Sequence, residues 1–250
     1  MLVALIASLA GCRLVDAVQN RVDQLSEDTV AQAMYIGVAP PSSDEIDLSM
    51  TEWKAGATAT AFVFELSTME DVQGLSLMLV SETNGSVPMT AADDGSFNAE
   101  ELTYAAGHRV KVRVNAPDGE ARSIAVDAPE SPVLSVPQEH TPNTAFGVTL
   151  QQQVDAVLAV VFDSATGAVT YDNTPQDLQG LYDFTLEEAP GAIEFPASAF
   201  PSESVYAVGV APLKRSTDEE VEGLNPIGST FFAGELRFYP VSTLQLPPME

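Results

Sequence analysis

The chain has 250 residues, 45% of them hydrophobic, enough for one or two ordinary cores. Acidic residues number 36 against 10 basic ones, for a formal net charge of −26. That balance argues against nucleic-acid binding and against charge-driven adhesion to anionic lipid, because too few groups are left to neutralise phosphates. It attracts cations instead. Since the acids are scattered rather than clustered, the plainest reading is a solvated acidic surface, with cation binding as the sharper alternative.

Residues 1–11, MLVALIASLAG, carry no charge. Such a run is too short to span a bilayer, which needs about 20 residues, but it has the length of the apolar core of a signal peptide. It ends Leu9-Ala10-Gly11-Cys12, and Cys12 is the only cysteine in the chain. A single cysteine makes no internal disulfide and requires another explanation. The run resembles the lipobox of bacterial lipoproteins, a leucine and two small residues before an invariant cysteine. The resemblance implies that residues 1–11 are cleaved off and that the Cys12 thiol carries diacylglycerol. It also implies palmitate incorporation and anchoring of the body to a membrane of the cell envelope. Arg13, not Asp, follows the cysteine, which under the family's sorting rule favours the outer membrane where the source has two. One departure is that such signals begin with Lys or Arg, and no basic residue precedes Arg13.

Residues 12–32 form a tether. Leu14, Val18, Val22 and Leu25 recur at helical spacing, so the segment reads as a short amphipathic helix or a loosely helical stalk. From Met34 the pattern changes to strands: 34–39, 58–66, and 74–82 with its alternation of Leu75, Leu77 and Leu79. The Asn84-Gly85 turn is a hairpin signal and leads to 86–91, after which Asp93-Asp94-Gly95 turns the chain again. Strand 109–116 alternates Val110, Val112 and Val114 with Arg109, Lys111 and Arg113, a half-buried strand with a basic outer face. Pro117-Asp118-Gly119 returns it to 122–128.

Prolines 129, 132, 137 and 142 then mark a boundary, because proline cannot donate to a central ladder. This short linker includes a candidate edge strand, 133–136. The second half repeats the style with strands at 146–150, 155–163, 168–172, 181–186, 192–195 and 205–213. An acidic loop, 216–223, precedes the final strand, 230–241. About seven strands per half, turns every 8–12 residues and no intervening long helix predict an all-β protein. Its expected form is two tandem antiparallel β-sandwiches, over 33–130 and 143–250, joined by a linker at 131–142 and each folding independently. Phe200-Pro201 before Tyr206 resembles the corner of immunoglobulin-like and fibronectin type III modules. The resemblance implies that the tyrosine opens a strand and ties its hydroxyl back to the preceding loop. Leu102, Tyr104 and Gly107 before Val110 form a looser echo.

No GxSxG, HExxH or phosphate-cradling loop is present in the sequence. His108 and His140 have no second His or Cys at ligand spacing and read as surface histidines. Trp53, the one tryptophan, is either an aromatic platform or packing at the edge of the first sandwich. The turn acids cap their own backbone. Asp163, Asp172 and Asn173 flank one hairpin and form the candidate calcium site, and Asp218, Glu219, Glu220 and Glu222 form a second acidic group.

The expected function is a non-enzymatic, membrane-anchored binding or structural module of the envelope, with no catalytic residue and an envelope protein or polysaccharide as partner. Two rivals remain. One is a hydrolase using paired carboxylates, which a pocket with two buried, convergent acids would mark. The other is a subunit of an envelope complex, which a large exposed apolar patch would mark.

Overall fold

The computed structural model describes residues 27–244, apart from 42, 52, 69, 118, 132–133, 152, 176–179, 182–183 and 185–190. The first half contributes β1 (Thr29–Val38), β2 (Gly56–Glu65), β3 (Ser76–Ser81), β4 (Gly85–Ala91), β5 (Phe97–Leu102), β6 (Arg109–Asn115) and β7 (Ala121–Asp127). The second contributes β8 (Leu134–Ser135), β9 (Glu139–His140), β10 (Phe146–Leu150), β11 (Ala156–Asp163), β12 (Val169–Asp172), β13 (Ala192–Phe195), β14 (Val205–Arg215), β15 (Val221–Glu222) and β16 (Thr230–Thr243).

Each half is an immunoglobulin-like sandwich. In the first, β1-β2-β5 faces β4-β3-β6-β7, and β4 passes between the layers, pairing with β3 through Met89 and with β5 at Thr90 and Ala91. In the second, β13-β10-β8 faces β12-β11-β14-β16. The short strands β8 and β9 lie within the Pro-rich segment and pair with β10 and β16, so that segment both connects the halves and completes the second sandwich.

The two sandwiches share a sheet. β1 pairs antiparallel with β2 and parallel with β16, from Gln32↔Thr230 to Val38↔Leu236. The order β12-β11-β14-β16-β1-β2-β5 therefore runs unbroken from one half to the other. On the opposite layer, the acidic loop supplies β15, which pairs with β7. The basic face of β6 and this loop meet there: Arg109 Nη1 lies 3.1 Å from Glu220 Oε1, and Lys111 Nζ lies 3.3 Å from Glu222 Oε2. Ser123 Oγ donates to the same Glu222 oxygen at 2.8 Å. Hydrogen bonding from Ser123 and the Lys111 charge hold the Glu222 carboxyl below its usual range.

The core of the first sandwich includes Leu77, Leu79, Val112 and Ile124, and also Val221, Leu224, Phe231 and Ala233 from the second half. The second sandwich is filled by its own residues, among them Phe146, Val161, Phe195, Phe200, Tyr206 and Val241. A third cluster lies on the outer face of the shared sheet. Met34, Ile36 and Phe62 meet Leu158, Val160 and Phe238 there, under Ile46, Leu181 and Phe184. Cover on both faces is why β1, β11 and β14 are almost entirely buried, and why β11 and most of β14 read as apolar runs instead of alternations.

Three expectations need correction. β1 begins at Thr29, so residues 29–32, assigned to the tether, are strand; residues 12–26 lie outside the described residues. In the 181–186 segment, expected as a strand, Gly180, Leu181 and Phe184 have helical backbone. Leu181 and Phe184, three apart, present one helical face to the sheet, with the Phe184 ring edge-on to Phe232 at 5.5 Å. β5 was missed, because Asn98, Glu100 and Glu101 are poor strand formers.

Candidate functional site

A groove of about 860 Å³ crosses the join between the sandwiches on the outer face of the shared sheet. Alternation along the strands decides what faces it. On β1, Ala31, Ala33 and Tyr35 point into the first core, leaving Met34, Ile36 and Val38 as floor. On β2, Ala57, Ala59 and Ala61 point inward and Thr58, Thr60 and Phe62 outward. The second half adds Leu158 and Leu181 to the floor and Asp172, Thr174 and Pro175 to the rim. Trp53 stands at one end, half-buried and packed against the outer cluster. Its indole nitrogen is enclosed and has no hydrogen-bond partner among the described residues.

A β-bulge shapes the rim. The β2–β5 register shifts between Ala57 and Ala59, so Glu100 and Glu101 together oppose Thr58. Ala99 and Leu102 both point into the core, and the two glutamates between them both stand exposed at the groove. Glu101 adopts φ 56°, an unfavourable conformation for a residue with a Cβ.

Beyond the bulge, side chains form a directed hydrogen-bond chain. Thr60 Oγ1 donates to Asn98 Oδ1 at 2.8 Å, Asn98 Nδ2 to Ser96 Oγ at 2.8 Å, and Ser96 Oγ to Asp94 Oδ1 at 2.6 Å. All four residues line the groove. The Ser96 hydroxyl and backbone N–H hold the Asp94 carboxyl below its usual range. This is opposite to the shift a general acid needs at neutral pH. Among the described residues, the acids that line the groove, Asp94, Glu100, Glu101 and Asp172, are all exposed, and they form no buried pair.

The structure does not bring the three candidate calcium ligands together. Asp163 closes the β11–β12 turn, its Oδ1 accepting from the N–H groups of Ala165 and Thr166 at 2.9 Å. Asp172 pairs with Val160 further along the hairpin and caps Thr174 at 2.7 Å. Asn173 braces the edge of β11, accepting from Ala159 N–H at 2.7 Å and donating to the Val157 carbonyl at 3.0 Å. Among the described residues, no group of three or more His, Cys, Asp or Glu side chains stands together as a metal site. In the second acidic group, Glu220 and Glu222 are engaged by Arg109 and Lys111. His108 is exposed beside Glu82. His140, expected at the surface, is half-buried, with its ring edge-on to Phe146 at 4.9 Å and to Phe200 at 5.0 Å. Cys12 lies outside the described residues.

Of these features, Trp53 and Asp172 were singled out in the sequence as candidates. The paired glutamates were not, because a bulge leaves no periodic signal: it is a break in one.

No protein-family model matches the chain, and no curated protein matches its sequence. Solved structures with a similar arrangement include the FN1–FN3 domains of chicken CNTN1, at 10% identity, 80% coverage of this chain and 65% of that one, with a TM-score of 0.21. A protein of Corynebacterium diphtheriae described as membrane anchored matches at 9% identity over 88% of this chain and 60% of that one, with a TM-score of 0.25. The adhesin InvE of Yersinia pseudotuberculosis matches at 11% identity over 85% and 58%, also with a TM-score of 0.25. The chain thus spans less than two thirds of the length of these structures. Likenesses this distant say nothing about what it binds; the assignment of two immunoglobulin-like sandwiches rests on strand order and pairing.

Proposed function

We propose that this chain is a lipid-anchored binding protein of the bacterial cell envelope, held through Cys12 and receiving its ligand in the groove across the shared sheet. The groove carries the reading: it has an apolar floor, a polar rim and a volume within the range of small-molecule sites. It is built from both sandwiches, so a ligand lying along it contacts both halves at once. The rim carboxylates are exposed, and Ser96 holds the Asp94 carboxyl below its usual range, which suits recognition better than proton transfer. The lipobox supports the address and, with Arg13, the outer membrane. An envelope protein or a polysaccharide presenting part of itself to the groove fits the same reading.

Two measurements test it. Cys12→Ala is expected to move the protein from the detergent phase to the aqueous phase and to abolish incorporation of labelled palmitate; a variant still wholly in the membrane fraction would refute the anchor. Trp53 is the only tryptophan and stands at the groove, so its fluorescence reports occupancy directly. Saturable change in its emission on titrating candidate ligands is the expected result.

A further inference from the structure

We propose that the groove selects a small amphipathic cation, a protonated amine carried on an alkyl or aryl body; this rests on the reading of the groove as the binding site. Three independent features of the wall and floor lead there.

The first is the direction of the hydrogen-bond chain. Thr60, Asn98 and Ser96 each direct a donor into the next residue, and the chain ends on the Asp94 carboxylate. The same Asp94 oxygen, Oδ1, also accepts the Ser96 backbone N–H at 3.0 Å. What the wall offers a ligand is therefore mainly lone pairs: those of Thr60 Oγ1 and of the second Asp94 oxygen. A ligand that satisfies lone pairs brings N–H or O–H groups.

The second is charge. Among the described residues, Asp94, Glu100, Glu101 and Asp172 stand at the groove against one cation, Lys54. The bulge doubles the charge where it matters, turning two consecutive glutamates to the same side instead of one. An anionic ligand meets like charge at the rim, a neutral polyol gains hydrogen bonds alone, and an ammonium gains charge-assisted hydrogen bonds, about twice as strong as neutral ones. The net charge of −26 raises the local concentration of cations further.

The third is the floor. Met34, Ile36, Val38 and Phe62 are each less than 9% exposed and form a continuous apolar strip below the acidic rim. An inorganic cation or a polyamine makes no use of the apolar edges that these residues leave at the groove, whereas an alkyl or aryl body packs on them while the amine remains at the rim.

The test uses the soluble chain beginning at residue 13 and three probes of matched tail, octylammonium, octanoate and octyl glucoside, each below its micelle concentration. Trp53 emission and calorimetry are the readouts. Octylammonium is expected to bind saturably and about tenfold more tightly than either other probe, a ratio in keeping with two or three partly exposed charge contacts. The variant Asp94→Asn/Glu100→Gln is expected to weaken octylammonium binding by about five- to tenfold and leave octyl glucoside within twofold. Glu139→Gln, an exposed acid on β9, is the control for diffuse charge and is expected to change nothing. Because Asp94 caps Ser96, Glu100→Gln alone, with about a threefold loss, keeps the test informative if the double variant misfolds. Equal or tighter binding of octanoate or octyl glucoside would overturn the cation assignment while leaving the groove as the site. A fall in octylammonium affinity as large in Glu139→Gln as in Glu100→Gln would also overturn it, by showing diffuse attraction. No saturable change with any of the three would overturn both readings.

Discussion

The two sandwiches share a strand plan and differ in how they close. The second is self-sufficient. Tyr206 opens β14, and its hydroxyl returns to Ser202, within 3.0 Å of the Ser202 Oγ and 3.2 Å of its backbone nitrogen. Its core draws on its own strands alone. In the first sandwich Val110 occupies the corresponding strand opening, and two tyrosines divide the task. Tyr35 on β1 donates to the Thr103 carbonyl at 2.6 Å, and Tyr104 donates across to the Pro129 carbonyl at 2.9 Å. Their rings stack at 5.4 Å. The first sandwich also completes its core with Val221, Leu224, Phe231 and Ala233 from the other half. The lesson is that similar strand orders can hide unequal autonomy: one half is a domain in the energetic sense, and the other is finished by its neighbour.

Separating the halves tests this difference most severely. The Pro-rich segment taken alone predicts that both halves melt cooperatively. The shared sheet predicts otherwise: residues 134–244 give a cooperative thermal transition, and residues 27–130 do not. Removing Phe231 alone, fully buried in the first core, should cost about 3–5 kcal/mol, and the fragment loses three further core residues and a parallel ladder as well. A sharp calorimetric melt of residues 27–130 would refute the dependence.

Gly37 sharpens the comparison within the full chain. A Cβ added there would lie 2.5 Å from Cγ of Tyr104, on a central strand with little room to move. Gly37→Ala is expected to destabilise the protein by about 1–3 kcal/mol, read from urea midpoints, by displacing the Tyr104 ring from Tyr35. Gly147, on β10 of the second sandwich, has open space where its Cβ would be, and Gly147→Ala is expected to be nearly neutral.

The smallest effect concerns the clasp between the acidic loop and β6. Glu222 is held at a lowered pKa in the folded protein, so its contribution is present above the ordinary glutamate pKa of about 4.3 and fades as pH falls through the lower folded value. Glu222→Gln should therefore be slightly less stable than the parent at pH 7, by up to about 1 kcal/mol for so exposed a group, and the difference should narrow as the pH is lowered through the acid range. A difference that persists unchanged across that range would mean that the ion pair contributes nothing and that packing of Val221 carries the contact.

Much of this architecture was readable in the chain. Phe146–Leu150 and Ala192–Phe195 coincide with the apolar patterns at 146–150 and 192–195, and Tyr206 behaves as its resemblance implied. The basic face of β6 and the acidic loop 216–223 were both visible, but as separate facts. Nothing local says that Arg109 and Glu220 meet, since that depends on long-range pairing. The parallel join was invisible for the same reason, although the apolar runs of β11 and β14 hinted at cover on both faces. The groove was least legible. Its floor alternates with core residues on β1 and β2, and its acidic rim arises from a bulge that no periodicity announces.

The join has a consequence for the order in which the molecule is made. Among the described strands β1 is the first to be synthesised and β16, which covers its open side, is the last; the Ala31 N–H donates to Ser229 Oγ across 198 residues of chain. During synthesis, β1 and β2 present a bare edge and an uncovered apolar face, the conditions under which nascent strands find wrong partners. The alanines of that edge strand, at 31 and 33, lower its stickiness compared with larger aliphatic residues. Completion is consequently a late event, and a ribosome that stops short of Thr230 releases a second sandwich without its last strand and a first one that cannot close.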